Sequence, residues 1–331
     1  MSDKMSEVYE AYDMEIYQTM RGRGATLLKT DKGYFQLKIP EVNESRLNAE
    51  YQLKEKLFEI GFTQIDRCIK NVHGELVTFD RYNNPYVMRR AFDGKECNVN
   101  NPVEIQLAVE NLAKLHFACR KAFESTESDV HIRLSGDFRR RNQELKRVRS
   151  FVGRQKSKKV FEELYIKAFD YFYGQALECE KEKSYLQESG YENTHLGYCH
   201  GMYNQHSILF SYKDNGDVSA ATVNFDKFYV GNQLDDLYHF VRKIVEKNNY
   251  DVSLMFEIIE CYGKICPLSR DDMDYIYKLY SYPEKFYKIS NQYINAPKNW
   301  ISPKMLEKLT KVIQDEERKK DLLEKLKEYI N

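Results

Sequence analysis

The hydrophobic positions of this 331-residue chain change their period near residue 95. Before that point, short apolar runs of strand type alternate with turn signals around one helical stretch. Ala25-Thr26-Leu27-Leu28 and Tyr34-Phe35-Gln36-Leu37-Lys38-Ile39 are strand-like, with Asp31-Lys32-Gly33 as the turn between them and Pro40 ending the second run. Leu47, Tyr51, Leu53, Leu57 and Phe58 give a helical apolar face over residues 43–60. Strands are predicted at 68–72 and 86–90, with a short one at 75–79. Asp93-Gly94-Lys95-Glu96 reads as a loop and as the boundary between two lobes. Residues 1–95 would hold an antiparallel sheet plus one helix, and residues 96–331 a helical lobe.

Beyond that loop the apolar spacing is mainly helical. Helices are predicted over 105–120, 138–152 and 160–186. Strand-like segments return at 208–211 and 220–225, joined by the polar turn Lys213-Asp214-Asn215-Gly216-Asp217. Helices resume over 235–247, 252–265 and 270–279. Residues 303–330 form one amphipathic stretch, with Leu322, Leu323, Leu326 and Ile330 on a common face. Within it, Asp315 with Lys319 and Glu316 with Lys320 are favourable i,i+4 pairs. The fold class is α+β, and the order of elements is that of a two-lobed protein-kinase-like fold.

Charge and composition narrow the function. The chain has 51 basic and 51 acidic residues. That balance gives no global positive field for nucleic acid, although it is compatible with a local basic groove. The seven cysteines are odd in number and form no Cys-x-x-Cys, which argues against a disulfide framework or a zinc site and suits a reducing compartment. The polar, acidic start lacks a signal-peptide core, and no run is long enough to span a bilayer. Cytoplasmic synthesis and no membrane partner are therefore expected. The 26 tyrosines suit either packing or oxidative cross-linking, and composition does not choose.

The strongest chemical signal is Cys199-His200-Gly201-Met202-Tyr203-Asn204-Gln205-His206-Ser207, followed by Thr222-Val223-Asn224-Phe225-Asp226. A kinase-like catalytic loop runs His-Gly-Asp, four residues, then Asn, and a metal-binding segment beginning with Asp follows it. Phosphoryl transfer depends on positioning and charge neutralisation, so these residue types matter. Here the base position is Met202, which cannot accept a proton and reads as core filler. The two metal positions are Ser207, a poorer ligand than an Asn carbonyl, and Asn224, which lacks the charge that holds Mg²⁺. His200 reads as a loop-holding residue. Strand alternation would put residues 224 and 226 on one side, making Asp226 the remaining acid, either in the cleft or as a loop acid. Lys38 ends a strand and Glu50 lies in the next helix, a spacing that suits a phosphate-holding pair or an ordinary surface pair. Gly22 and Gly24 suit a phosphate-covering turn or a plain hairpin turn. Asp236 opens a helix where an acid can tie down the loop backbone.

Around these motifs the chain resembles the aminoglycoside phosphotransferase and choline kinase superfamily. Within it, the chain is similar to the CotS family of bacterial spore coat proteins. The resemblance rests on Tyr86-Val87-Met88-Arg89-Arg90 with Gly94-Lys95-Glu96-Cys97, on Leu112-Ala113-Lys114-Leu115-His116, and on Asn224-Phe225-Asp226-Lys227. Most specific are Asp236-Leu237-Tyr238-His239-Phe240-Val241-Arg242-Lys243-Ile244 and Tyr282-Pro283-Glu284-Lys285-Phe286-Tyr287-Lys288-Ile289-Ser290-Asn291, continued by Tyr293-Ile294-Asn295 and Lys298-Asn299-Trp300-Ile301. It implies Lys38 and Glu50 as a nucleotide-side pair and the segment 89–92, with Arg90 and Phe92, as the hinge of a nucleotide cleft. It implies ATP and Mg²⁺ as cofactors, other spore coat proteins as partners, and the spore coat of an endospore-forming bacterium as location. The departures at Met202, Ser207 and Asn224 fall on the residues that carry catalysis. Three readings stay open: a pseudokinase with a scaffolding or assembly role, a weakly active small-molecule or sugar phosphotransferase using Asp226 for metal, and a ligand sensor without turnover.

Overall fold

The computed structural model describes residues 5–22, 24–125, 138–188, 195–212, 215–296 and 302–330. Lys213 and Asp214 of the predicted turn, and the run Lys298-Asn299-Trp300-Ile301, lie outside them. In chain order the elements are α1 (Ser6–Glu10), β1 (Ile16–Arg21), β2 (Thr26–Thr30), β3 (Gly33–Lys38), α2 (Glu44–Glu59), β4 (Cys68–Ile69), β5 (Thr78–Phe79), β6 (Pro85–Arg90), β7 (Lys95–Glu96) and α3 (Pro102–Glu124). Then come α4 (Phe138–Gly153), α5 (Val160–Glu188), β8 (Leu196–Cys199), β9 (Ile208–Tyr212), β10 (Val218–Thr222), β11 (Tyr229–Asn232) and α6 (Leu234–Lys247). The chain ends with α7 (Val252–Gly263), α8 (Arg270–Ser281), α9 (Glu284–Ile294), α10 (Pro303–Gln314) and α11 (Glu316–Ile330).

Two compact units share these elements. One comprises Met1–Ile132, Leu196–His239 and Glu260–Cys266, the other Arg133–His195, Phe240–Ile259 and Pro267–Asn331. The expected lobe boundary at 95/96 falls inside the first unit. There Lys95 and Glu96, expected in a loop, pair as β7 with Phe210 and Leu209 of β9.

In the first unit an antiparallel sheet runs β1-β2-β3-β6-β4, with β5 added to β6. Strand β6 is buried on both faces. Met88 packs with Val8, Tyr12, Leu28, Phe35 and Leu37 on one side, and Val87 with Leu47, Cys68 and Leu76 on the other. Alternation puts Arg89 on the Val87 side, under the sheet and toward α2. Helix α2 begins where Asn43 caps it, its side chain accepting from Arg46 N at 2.9 Å. Helix α3 starts the same way, with Asn101 as cap and Pro102 at its first position. All seven cysteines are free and buried.

In the second unit α5 lays an aromatic ladder, Phe161, Tyr165, Phe169, Phe172 and Tyr173, along one side. Phe286 of α9 stacks on Tyr165 at 5.1 Å and on Phe172 at 4.6 Å, and Tyr293 stacks on Phe161 at 4.9 Å. Tyr165 and Tyr282 are fully buried here, so part of the tyrosine content serves packing. The amphipathic stretch 303–330 is two helices rather than one, broken at Asp315, which closes α10. That break reassigns the predicted pairs. Asp315 meets Arg318 at 3.3 Å, Lys320 meets Glu317 at 3.1 Å, and the Lys319 amine turns to the carbonyls of Ser281 and Tyr282.

At the start of α9, Glu284 is buried and meets Arg141 at 2.6 Å and Lys288 at 3.1 Å. Burial alone would push its carboxyl up, but Arg141, Lys288 and Arg242 bring it down to about 2. A carboxyl depressed on folding stabilises the fold above its unfolded pKa and loses that contribution as pH falls toward its folded one. Glu284→Gln should therefore cost on the order of 3 kcal/mol at neutral pH, with the gap to wild type closing between about pH 4.5 and 2. Urea unfolding across that range checks this, and a gap independent of pH would contradict it.

Candidate functional site

Strand β8 delivers the chain to His200 and Gly201, and β11 pairs back along β8 before α6 begins. Asp236, in the first turn of α6, holds that loop. Its Oδ2 accepts from His200 N at 2.5 Å and its Oδ1 from Gly201 N at 2.9 Å. His116 Nε2 stands 3.5 Å from the same carboxylate, with its Nδ1 2.8 Å from the Tyr262 hydroxyl. Burial pushes the Asp236 carboxyl up, but His116, His200 and the Gly201 amide outweigh it and hold it below the usual range. The His200 ring is buried. Its Nε2 donates to Val223 O at 3.0 Å and its Nδ1 accepts from Met202 N at 3.3 Å, so a single neutral tautomer satisfies both contacts. Burial lowers the His200 pKa and favours that neutral form.

Met202 is not core filler. It is 52 % exposed and lines a cavity, while its neighbour Tyr203 fills the core and donates to Ala108 O at 2.7 Å. Ser207 is buried. Its hydroxyl accepts from Asn204 N at 2.9 Å and contacts the carbonyls of Met202 and Asn204. It therefore knots the loop. Residues 224 and 226 do not share a strand. Strand β10 ends at Thr222, Asn224 is left-handed with φ 68° and ψ 57°, and a 3₁₀ turn, Phe225–Lys227, follows. The cause is a long-range tether, Asn224 N donating to Asp66 Oδ2 at 3.0 Å, which bends the chain out of the sheet. The Asn224 amide points to His206 O at 3.4 Å.

The expected Lys38–Glu50 pair is not formed. Glu50 is buried and held by Lys54 at 2.5 Å, its own i+4 neighbour, and by Arg89 at 2.9 Å. Lys54 also meets Asp66 at 2.7 Å. Lys38 instead meets Glu41 at 3.1 Å and Asp226 at 3.6 Å. Arg89 bridges to Asp226 at 3.1 Å. Lys38, Lys54 and Arg89 thus face Glu50, Asp66 and Asp226, and the exposed Glu41 joins at Lys38, so three cations and four carboxylates form one connected set. Burial would raise the Asp226 carboxyl, but Arg89 and Lys38 hold it below the usual range. Arg90 lies on the other side of β6 from Arg89. Its side chain is exposed, stands 5.6 Å from the Phe92 ring and does not line the cavity.

The cavity is about 730 Å³. Its lining includes Gly22, Gly24, Lys38, Phe92, Met202 and Asp226. The two glycines belong to the β1–β2 hairpin turn, where Gly22 N donates to Ala25 O at 2.9 Å, so the hairpin turn itself faces the cavity. A nucleotide's bulk fits such a volume. Magnesium does not fit the donors as arranged. It needs carboxylate oxygens free to bind it. The Asp226 oxygens face Arg89 and Lys38, the Asn224 amide is turned to a carbonyl, and the Ser207 hydroxyl is spent inside the loop. No side chain at the loop position of Met202 can take a proton from a substrate.

The sequence pattern had not exposed Lys54, Asp66, Arg89 or His116. Two signals were available. Glu50 and Lys54 sit on the same stripe as Leu47, Leu53 and Leu57, and Arg89 shares the buried side of a strand with Val87. Charges on apolar faces must find partners.

Solved structures place this architecture. An aminoglycoside phosphotransferase from Alicyclobacillus acidocaldarius superposes with a TM-score of 0.80 at 19 % identity, covering 97 % of this chain and 95 % of that one. A spectinomycin phosphotransferase, in complex with ADP and spectinomycin, gives 0.60 at 12 % identity over 93 % and 92 %. A microcompartment-associated aminopropanol kinase gives 0.58 at 13 % identity over 98 % and 96 %. The chain therefore has an aminoglycoside phosphotransferase-like, kinase-like fold. No curated protein matches the sequence. Residues 5–326 match the family described as spore coat putative kinase YutH, and with that span matched the chain belongs to this CotS-like family of spore coat proteins.

Proposed function

We propose that this protein is a pseudokinase of the spore coat, which keeps the kinase-like fold for assembly with other coat proteins and does not transfer phosphate. The observation that carries the reading is the neutralised acid: Asp226 is bound by Arg89 and Lys38 at the edge of a buried ion-pair network. A divalent cation would have to share each oxygen with a protein cation and bind against its positive charge. Met202 at the base position points the same way, because a positioned general base is commonly worth about 10²–10⁴ in rate. Family membership supports the coat location and coat partners. The cavity of about 730 Å³ favours a second reading, a sensor that binds a nucleotide or small ligand without turnover. In that reading Lys38 and Phe92 contact the ligand.

The test is ADP release by the full chain with Mg·ATP and a panel of amino alcohols, sugars and aminoglycosides. No release above the protein-free blank is expected. Mg²⁺-dependent phosphorylation of any of these, abolished by Asp226→Ala, would establish the weakly active phosphotransferase instead. Thermal stabilisation by ATP without turnover would favour the sensor.

A further inference from the structure

Charge is not spread evenly along this balanced chain. Residues 139–159 contain ten basic residues, Arg139, Arg140, Arg141, Lys146, Arg147, Arg149, Arg154, Lys156, Lys158 and Lys159, and a single acid, Glu144. Most of the segment is α4, and the helix sorts the charges by face. Phe138, Asn142, Leu145, Val148 and Val152 are buried. Arg141 turns inward to Glu284, and Arg149 leans on the Phe169 ring at 5.7 Å. The opposite arc holds Arg139, Arg140, Lys146, Arg147 and Arg154, all exposed, with only Gln143 and Ser150 between them. A spacing of three, four and seven residues stacks these side chains along one line of the helix.

Glu144 meets Arg140 at 3.8 Å and offsets only part of this arc. It sits at the edge, where its carboxylate accepts from Tyr287 Oη at 2.6 Å and Asn291 Nδ2 at 3.2 Å. Those bonds and Arg140 hold its pKa below the usual range against burial. Arg139, Arg147 and Arg154 have no ion pair among the described residues. A row of exposed guanidinium groups with a single acid beside it is held at a cost in self-repulsion, which an anionic partner would relieve.

We infer that the outward face of α4 is a docking surface for an acidic polypeptide segment. Guanidinium groups bind carboxylates in a two-point fork, and four of the five cations on the arc are arginines. The size of the patch selects the partner. Sixteen residues of helix span about 24 Å, the length of about eight extended residues of a peptide. Duplex DNA carries a charge about every 1.7 Å and continues past such a patch over a chain whose net charge is +0. Single strands gain much of their affinity by stacking on aromatic rings. Two aromatic rings lie beside the arc, and both have partners: Phe151, 37 % exposed, is edge-on to Tyr293 at 6.2 Å, and the half-buried Tyr173 stacks on Phe169 at 5.1 Å and faces the Lys146 amine at 5.7 Å. The inference is independent of the cavity and of whether the fold transfers phosphate.

Fluorescence anisotropy with the full chain and a labelled peptide of about eight glutamates tests it. Binding is expected at low salt and should weaken as salt is raised. It should fall at least tenfold in the variant Arg139→Glu, Arg147→Glu, Arg154→Glu, and should persist in a control carrying Lys278→Glu, which lies outside α4. Circular dichroism establishes that the variants fold. If the triple reversal unfolds the chain, the milder pair Arg147→Gln, Arg154→Gln should still weaken binding by several-fold. Absence of binding at low salt, binding indifferent to these substitutions, or tighter binding to a DNA oligonucleotide at equal salt would each overturn the inference.

Discussion

Replacing Arg89 by leucine should lower stability by about 3–5 kcal/mol, the usual cost of removing one partner from a buried ion pair. Arg89 is 2 % exposed and is shared by two carboxylates, Glu50 at 2.9 Å and Asp226 at 3.1 Å. Without it, the ion pairs left among the described residues are Lys54 for Glu50 and Lys38, at 3.6 Å, for Asp226. The loss depends on pH with a defined sign. Arg89 and Lys38 hold the Asp226 carboxyl below the usual carboxylate range, so its contribution is complete at neutral pH and fades as pH falls below about 4. The gap between Arg89→Leu and wild type should therefore be widest near neutrality and narrow on acidification. The double variant Arg89→Leu, Asp226→Asn should recover part of the loss, with a coupling of about 1–3 kcal/mol in a double-mutant cycle. Urea unfolding followed by circular dichroism measures all three. A loss below about 1 kcal/mol would show that Arg89 is not the centre of the network.

The same network marks where the sequence stops being readable. Helices α2 and α3 are legible because their apolar residues repeat at helical spacing behind an Asn cap. The loop from His200 is legible because its residue types stand at fixed separations within a few positions. Pairing across the chain is another matter. Lys38 and Glu50 look like partners because one ends a strand and the other follows in a helix, yet Lys54, four residues on, reaches Glu50 first. Val223-Asn224-Phe225 looks like the end of a strand because its apolar alternation continues. It is turned out of the sheet by Asp66, 158 residues earlier. No local pattern encodes that hydrogen bond, and only the ability of asparagine to adopt a left-handed backbone hints at it. Likewise the break at Asp315 is invisible to a periodicity that runs on through it. Residues buried by neighbours in sequence were readable. Residues whose partners come from a distant strand or turn were not, and these decide what the site can do.

Gly201→Ala should be the most damaging single methyl added to the loop. Gly201 has φ +81°, a conformation that costs an L-residue about 1–2 kcal/mol. A Cβ there would also lie 2.1 Å from Lys227 O, a backbone atom that cannot swing aside as a side chain would. The 3₁₀ turn holding Lys227 would have to move, and with it Asp226. The Gly201 amide would in turn drift from Asp236 Oδ1, now 2.9 Å away. Adding the strain, the displaced turn and one weakened hydrogen bond to a buried carboxylate gives an expected loss of about 3–5 kcal/mol. Gly74→Ala provides the comparison, because its φ is also positive at +82° but no atom lies within 4 Å of the added Cβ. It should cost only the conformational part, about 1–2 kcal/mol. Equal losses in the two variants would mean that the Lys227 contact yields easily. A clear excess in Gly201→Ala would show that the loop and the Asp226 turn are packed as one piece. In that case the geometry neutralising Asp226 is built into the fold and not a rearrangement that a ligand could readily undo.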